Sequence, residues 1–118
     1  IDNKTAIKVQ IINDDFDKKV KAATIKSGKS LDKINDKKAK DEEKVKEGKG
    51  PKEKNDDKLA SIQKQYDESK VEIEKDLEAI KAKLNKEKEA DIKDIKDDAQ
   101  KEKDSFIKQE MELNKKSK

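Results

Sequence analysis

The chain has 118 residues, of which 52% are charged and only 29% are hydrophobic, and its formal net charge is +3. A compact globule of this length needs more apolar bulk to offset the entropy that the chain loses on folding. The composition therefore excludes a conventional globular domain. It leaves disorder, an elongated helical assembly, or folding against a partner.

The basic residues are all lysine, and histidine and cysteine are absent. Lysine without arginine, together with abundant Ile, Asn and Asp, is typical of an AT-rich genome. Proteins that bind nucleic acid cluster their positive charge and use arginine for bidentate contacts, so we expect no nucleic-acid partner. No apolar run approaches the roughly 18 residues of a transmembrane segment. The missing initiator Met indicates a processed chain, of a surface or secreted protein, or a fragment.

The N-terminal stretch TAIKVQI, residues 5–11, alternates apolar and polar side chains. Ile7, Val9 and Ile11 would share one face at a period of two, which predicts a short strand. A single strand must pair with something that this chain does not supply, either across a dimer or on a partner. An extended arm lying on a helix is the alternative. We therefore predict an extended arm or single strand over residues 1–13.

From Asp14 the apolar spacing becomes helical and predicts a first helix over residues 14–47. Gly28 interrupts this pattern and Ser30 can cap a continuation, so we expect a kink near residues 28–30. The stretch GKGP, residues 48–51, contains two glycines and the only proline. It predicts a Gly/Pro bend over residues 48–54.

A long helix is predicted over residues 55–115, which contain no Gly or Pro. Its apolar side chains recur every eleven residues, at Ile62, Ile73, Leu84, Ile95 and Phe106. Eleven residues in three turns keep such a stripe nearly straight, with a slight right-handed drift. The period is similar to that of right-handed coiled-coil stalks, phage tail tape-measure proteins and late-embryogenesis-abundant proteins. The likeness is one of period alone, and no functional residue is carried over from it.

The predicted fold is all-α: an elongated helical hairpin or coiled coil with an eleven-residue (hendecad) repeat, preceded by a short extended N-terminal segment. Folding about GKGP brings Leu31 near Val71 and Ile73, and Phe16 near Leu84. The N-terminal end of the first helix then lies opposite about residue 88 of the long helix. The apolar side chains beyond that point lack a cover, and we predict that they bind a partner. They are Ile92, Ile95, Ala99, Phe106, Ile107, Met111 and Leu113.

Two stretches match chemical motifs in part. ATIKSGKS, residues 23–30, fits a loose phosphate-loop pattern, but a charged helical segment precedes it where a buried strand is required. DKINDKKAKDEE, residues 32–43, resembles a calcium loop, but Ile34 and Lys37 stand where a ligand and a glycine are needed. We therefore expect no enzyme, no cofactor, no metal site and no small-molecule substrate.

The function expected from these patterns is structural. The chain would be a stalk, spacer, scaffold or a segment of a surface or virion coiled coil, which associates with itself or with another helical protein. The alternative is an amphipathic helix that folds on a membrane surface or acts as a desiccation-type protectant.

Overall fold

The computed structural model describes residues 3–48 and 50–116. Two helices account for nearly all of them: α1 (Asn3–Glu47), with 45 residues, and α2 (Lys52–Lys116), with 65. The described residues include no strand. The predicted all-α helical hairpin is thus confirmed.

The prediction of an extended segment over residues 1–13 is wrong for residues 3–13, which form the first three turns of α1; residues 1 and 2 lie outside the described part. Residues two apart in a helix lie about 200° apart around its axis, so Val9 lies on the opposite side of α1 from Ile7 and Ile11. Val9 is partly buried, whereas Ile7 and Ile11 are 60% and 61% exposed. Three apolar residues at a period of two are too few to distinguish a strand from a helix.

The helix α1 runs through residues 28–30 without a break, so Gly28 does not end one helix and Ser30 does not begin another. Ser30 Oγ donates a hydrogen bond to the Lys26 carbonyl at 3.3 Å, one turn back. Thr24 Oγ1 donates to the Val20 carbonyl in the same way, at 2.8 Å. These hydroxyls bond to the helix in which they lie rather than capping a new one.

The bend between the helices is shorter than predicted. Gly48 still donates its N–H to the Lys44 carbonyl at 3.1 Å, so the helical hydrogen bonds of α1 extend to that residue. The Pro51 carbonyl accepts from the Asn55 N–H, also at 3.1 Å, which is the first helical bond of α2. Proline is well suited to this place, because it lacks the N–H that a helix leaves unpaired at its start. The helix α2 therefore begins at Lys52 instead of residue 55.

Charges at three of the four helix ends favour the helix dipole, whereas the first turn of α1 contains no acidic residue. The last turn of α1 contains Lys44 and Lys46, and that of α2 contains Lys115 and Lys116. Glu53 lies in the first turn of α2. Lysine near a C-terminus and glutamate near an N-terminus each stabilise a helix by about 0.3–1 kcal/mol.

The chain divides into two units, each made of a segment of α1 and a segment of α2. We call residues Ile1–Lys19 and Lys83–Lys118 the terminal unit, and residues Val20–Ala82 the bend unit. No described side chain of either unit is fully buried. The most shielded positions of α1 are only partly buried, and they recur at spacings of three and four residues, as one face of a helix requires.

Substituting Val9 tests the helical placement of the N-terminal segment. We expect Val9→Asp to lower the free energy of unfolding by about 1–3 kcal/mol, because it places a carboxylate where an apolar side chain is partly buried between the helices. The matched Ile7→Asp should change it by less than about 0.5 kcal/mol, because Ile7 is exposed. Urea unfolding followed by circular dichroism measures both. Equal losses would instead indicate that Ile7 and Val9 lie on one face, as in a strand.

Substituting Gly28 tests the continuity of α1. A Cβ added at Gly28 would meet nothing within 4 Å. Because alanine favours a helix over glycine by about 0.5–1 kcal/mol, Gly28→Ala should stabilise the chain by that amount and raise its melting temperature. A loss of stability would mean that the helix needs glycine here, as a kink would.

Candidate helix–helix interaction surface

A lysine of α1 lies over an aromatic ring of α2 in the bend unit. The Nζ atom of Lys38 is 4.8 Å from the centroid of the Tyr66 ring and 3.5 Å from Oε1 of Glu42. The ammonium thus contacts both the ring face and a carboxylate, while its aliphatic stem is shielded by the helix pair. This contact shows which residues of the two helix segments lie beside each other within the unit.

The terminal unit contains the reciprocal contact, with the lysine on α2 and the ring on α1. Lys88 Nζ lies 4.2 Å from the centroid of the Phe16 ring. The residue numbers of the two partners add to 104 in this pair, as they do for Lys38 and Tyr66. Both units therefore have the same antiparallel register.

This register places further partly buried residues opposite each other within each unit. They are Val9 and Ile95, and Ile12 and Ile92, in the terminal unit, and Leu31 and Ile73, and Val45 and Leu59, in the bend unit. Leu31 is therefore opposite Ile73, as the sequence predicts, whereas Val71 is largely exposed. Phe16 and Leu84 line one recess of the terminal unit, which agrees with their predicted proximity.

A salt bridge flanks the Phe16 contact. Lys19 Nζ lies 3.0 Å from Oδ2 of Asp15, one turn earlier on α1. The hydrogen bond to Asp15 and the charge of that carboxylate raise the pKa of Lys19, and the charges of Glu87 and Asp91 on α2 add to this effect. The raised pKa means that any stabilisation is present below the ordinary lysine pKa and is lost as the pH rises through the higher folded value. Lys19 is solvent-exposed, so the contribution is small.

The residues predicted to bind a partner fall into two groups. Ile92, Ile95 and Ala99 are partly buried, because α1 begins at Asn3 and its first turns shield them. The expected end of the cover near residue 88 is therefore wrong. The remaining residues are exposed, and all described residues from Lys101 to Lys116 share this exposure. They are Phe106, Ile107, Met111 and Leu113, which we call the distal patch.

An open groove of about 760 Å³ lies in the terminal unit beside the distal patch. Thr5, Ala6 and Val9 of α1 line one side of it. Ala99 and Phe106 line the other, with lysines at the rim. Phe106 thus belongs both to the groove and to the distal patch.

Sequence reasoning did not find the exposed apolar side chains on the outer sides of the helices. These are Ile7, Ile11 and Ile25 on α1, and Val71 on α2. Each of them could have been found, because it lies two residues from a member of the shielded row and hence on the opposite side of the helix.

The partial motif at residues 23–30 lies in the interior of α1. A phosphate loop needs backbone N–H groups that point at the ligand, whereas in a helix interior they bond to carbonyls one turn back. Within the described residues, no group of three or more acidic side chains is placed to hold a metal ion. In that same part of the chain, neither helix has an apolar stretch that could cross a membrane.

Comparisons with protein-family models, curated protein sequences and solved structures found no significant match.

Cysteine cross-linking tests the register, because the chain has no cysteine of its own. Lys38→Cys with Tyr66→Cys should be joined within one molecule by a short thiol cross-linker, since these positions face each other. Lys40→Cys with Lys64→Cys is the matched control: these numbers also add to 104, but both residues are exposed. Non-reducing gel electrophoresis resolves the products. Efficient linking of the control, or none of the first pair, would contradict the register.

Proposed function

We propose that the chain is a non-enzymatic structural or protein-interaction module that acts by helix–helix packing, and that the distal patch is where it binds. One observation carries the proposal: the apolar side of α2 continues past the groove to Leu113, and its side chains there are exposed. Phe106 and Met111 are 61% and 62% exposed.

The distal patch extends the row of α2 that packs against α1. Phe106 follows Ile95 by eleven residues, or three turns, and therefore lies on the same side of the helix. Leu113 follows Phe106 by two turns and shares that side. Ile107 and Met111 are one turn apart and widen the patch to one flank. A second helix can thus meet the same kind of surface that α1 meets in the terminal unit.

The size of the patch is sufficient for a specific contact. Four large apolar side chains that are about half exposed or more present on the order of 100 Å² each. Their sum, on the order of 400 Å², falls in the range of the functional apolar patches of monomeric proteins. Burying it would contribute roughly 10 kcal/mol before the cost of association is subtracted.

We include the eleven-residue repeat in the proposal, because it determines how a partner helix would align its apolar side chains along α2. A partner with the same period keeps its apolar row against α2 without supercoiling to the left. A second copy of this chain has that period, as would another helical protein of matching repeat. The proposal assigns no catalysis: the sequence lacks His and Cys, and among the described residues every carboxylate except those of Asp41 and Glu42 is exposed.

An amphipathic helix bound to a membrane surface is the second candidate. Lys101, Lys103 and Lys108 lie beside the distal patch and could meet anionic lipid headgroups. Sedimentation with vesicles of anionic phospholipid distinguishes the two. Binding to vesicles by the isolated chain, with no association in their absence, would favour the membrane.

Polar substitution of the patch tests the proposal. Phe106→Ser with Met111→Ser should weaken self-association, or binding to the partner helix, about tenfold or more, because it removes two apolar anchors. Ile80→Ser is the control, since Ile80 is also exposed but lies outside the patch. Analytical ultracentrifugation with circular dichroism reports association and helicity. Equal effects of both variants would refute a role for the distal patch.

A further inference from the structure

Two exposed apolar side chains of the bend unit lie on opposite outer sides of the helix pair. Ile25 of α1 is 51% exposed and lies two residues from the partly buried Ala23 and Ser27. Val71 of α2 is 49% exposed and lies two residues from the partly buried Ser69 and Ile73. Two residues correspond to about 200° around a helix, so each points away from the other helix of the pair.

The surroundings of Ile25 are positive. Lys21 and Lys29 lie one turn before and after it on the same side of α1, and Lys26 is its neighbour. All three are exposed, and none forms an ion pair with a described residue. Their charges are therefore available to an acidic partner.

The surroundings of Val71 are negative. It lies in a shallow depression of α2 lined by Asp67, Glu68 and Glu72, with Lys75. Lys70 is its neighbour in the chain, so these acidic side chains outnumber the lysines by three to two. The carboxylates of Glu68 and Glu72 form no ion pair with a described residue. Val71 is thus an apolar side chain with an acidic rim, whereas Ile25 is one with a basic rim.

We propose that these two faces bind each other between copies of this chain: the Ile25 face of one copy docks on the Val71 face of the next. The contact uses a different surface from the distal patch, although it rests on the proposed role in helix–helix packing. Charge complementarity around a small apolar centre commits the occupant to a second copy, because each copy has both halves of the contact.

The arrangement has a consequence for assembly. Because the two faces lie on opposite sides of the bend unit, one neighbour cannot occupy both of them. The contact is therefore heterologous, and each added copy leaves one face of each kind free. Growth continues beyond a dimer, into a ring or a filament, and it weakens with added salt because exposed charges are screened over about 8 Å at physiological ionic strength.

Charge reversal tests this contact. The basic face is reversed by Lys21→Glu, Lys26→Glu and Lys29→Glu, and the acidic face by Asp67→Lys, Glu68→Lys and Glu72→Lys. Each triple variant alone should associate about tenfold or more weakly than the wild type, because both of its faces have the same sign. An equimolar mixture of the two should recover association, since each supplies the face that the other needs.

Three controls make the result specific. Lys8→Glu, Lys86→Glu and Lys93→Glu change the net charge by the same amount as the basic-face variant, at exposed sites of the terminal unit, and should leave association unchanged. Adding Val71→Ser to the acidic-face variant should stop the mixture at dimers at physiological salt, because only the basic-face variant then has an intact Val71 face. Circular dichroism of every variant shows whether its helices are retained.

Sedimentation velocity over a range of concentration and salt gives the outcome. Species that grow beyond a dimer and diminish in high salt support the proposal. A wild type that stays monomeric or stops at a dimer would overturn it, as would a basic-face variant that associates normally or a mixture that does not recover. If the distal-patch variant loses association and the charge-reversal variants keep it, the proposed function stands and this second contact is refuted.

Discussion

Two helices made mostly of Lys, Asp and Glu can lie against each other only along the row where apolar, small or aromatic side chains recur at spacings of three and four. Everything else in the structure depends on that row. In α1 it extends from Thr5 to Val45, and in α2 the facing row extends from Asn55 to Ala99. Because the rows are one residue wide, they shield their members only partly. The rest of each helix remains a charged, solvated surface supported by pairs one turn apart, such as Gln10 with Asp14.

Such a narrow row must also accept polar members, and the lysine–aromatic contacts show how. Lys38 and Lys88 occupy positions in the row where an apolar residue would otherwise stand, and each meets a ring from the other helix. The aliphatic stem replaces apolar bulk while the ammonium remains hydrated and interacts with the ring face. Each contact is worth about 0.5–1 kcal/mol at an exposed site. Their larger effect is on specificity, because a shift along the helix would separate both lysines from their rings.

The long helix was predictable because its period repeats over five apolar residues, from Ile62 to Phe106, with no Gly or Pro between them. The end of α1 was predictable from GKGP for the same reason of strong local chemistry. The start of α1 was not predictable, because Ile7, Val9 and Ile11 also fit the period of a strand. The choice between strand and helix is settled only by the structure, which places four residues on one helix face: Thr5, Val9, Ile12 and Phe16. That error moved the predicted edge of the exposed surface. With α1 beginning at Asn3, Ile92 to Ala99 are shielded, and the distal patch begins at Phe106. The oppositely charged surroundings of Ile25 and Val71 were not predictable either. They depend on which side of each helix points outward, and that is known only once the two helices are paired.

The absence of any fully buried side chain among the described residues has a thermodynamic consequence. The heat capacity change of unfolding scales with the apolar surface that unfolding newly exposes to water. Here nine large apolar side chains of the described residues are already exposed in the folded chain, so the change is smaller than for a compact domain of this length. The stability curve is correspondingly flat, with a shallow maximum and no marked loss on cooling.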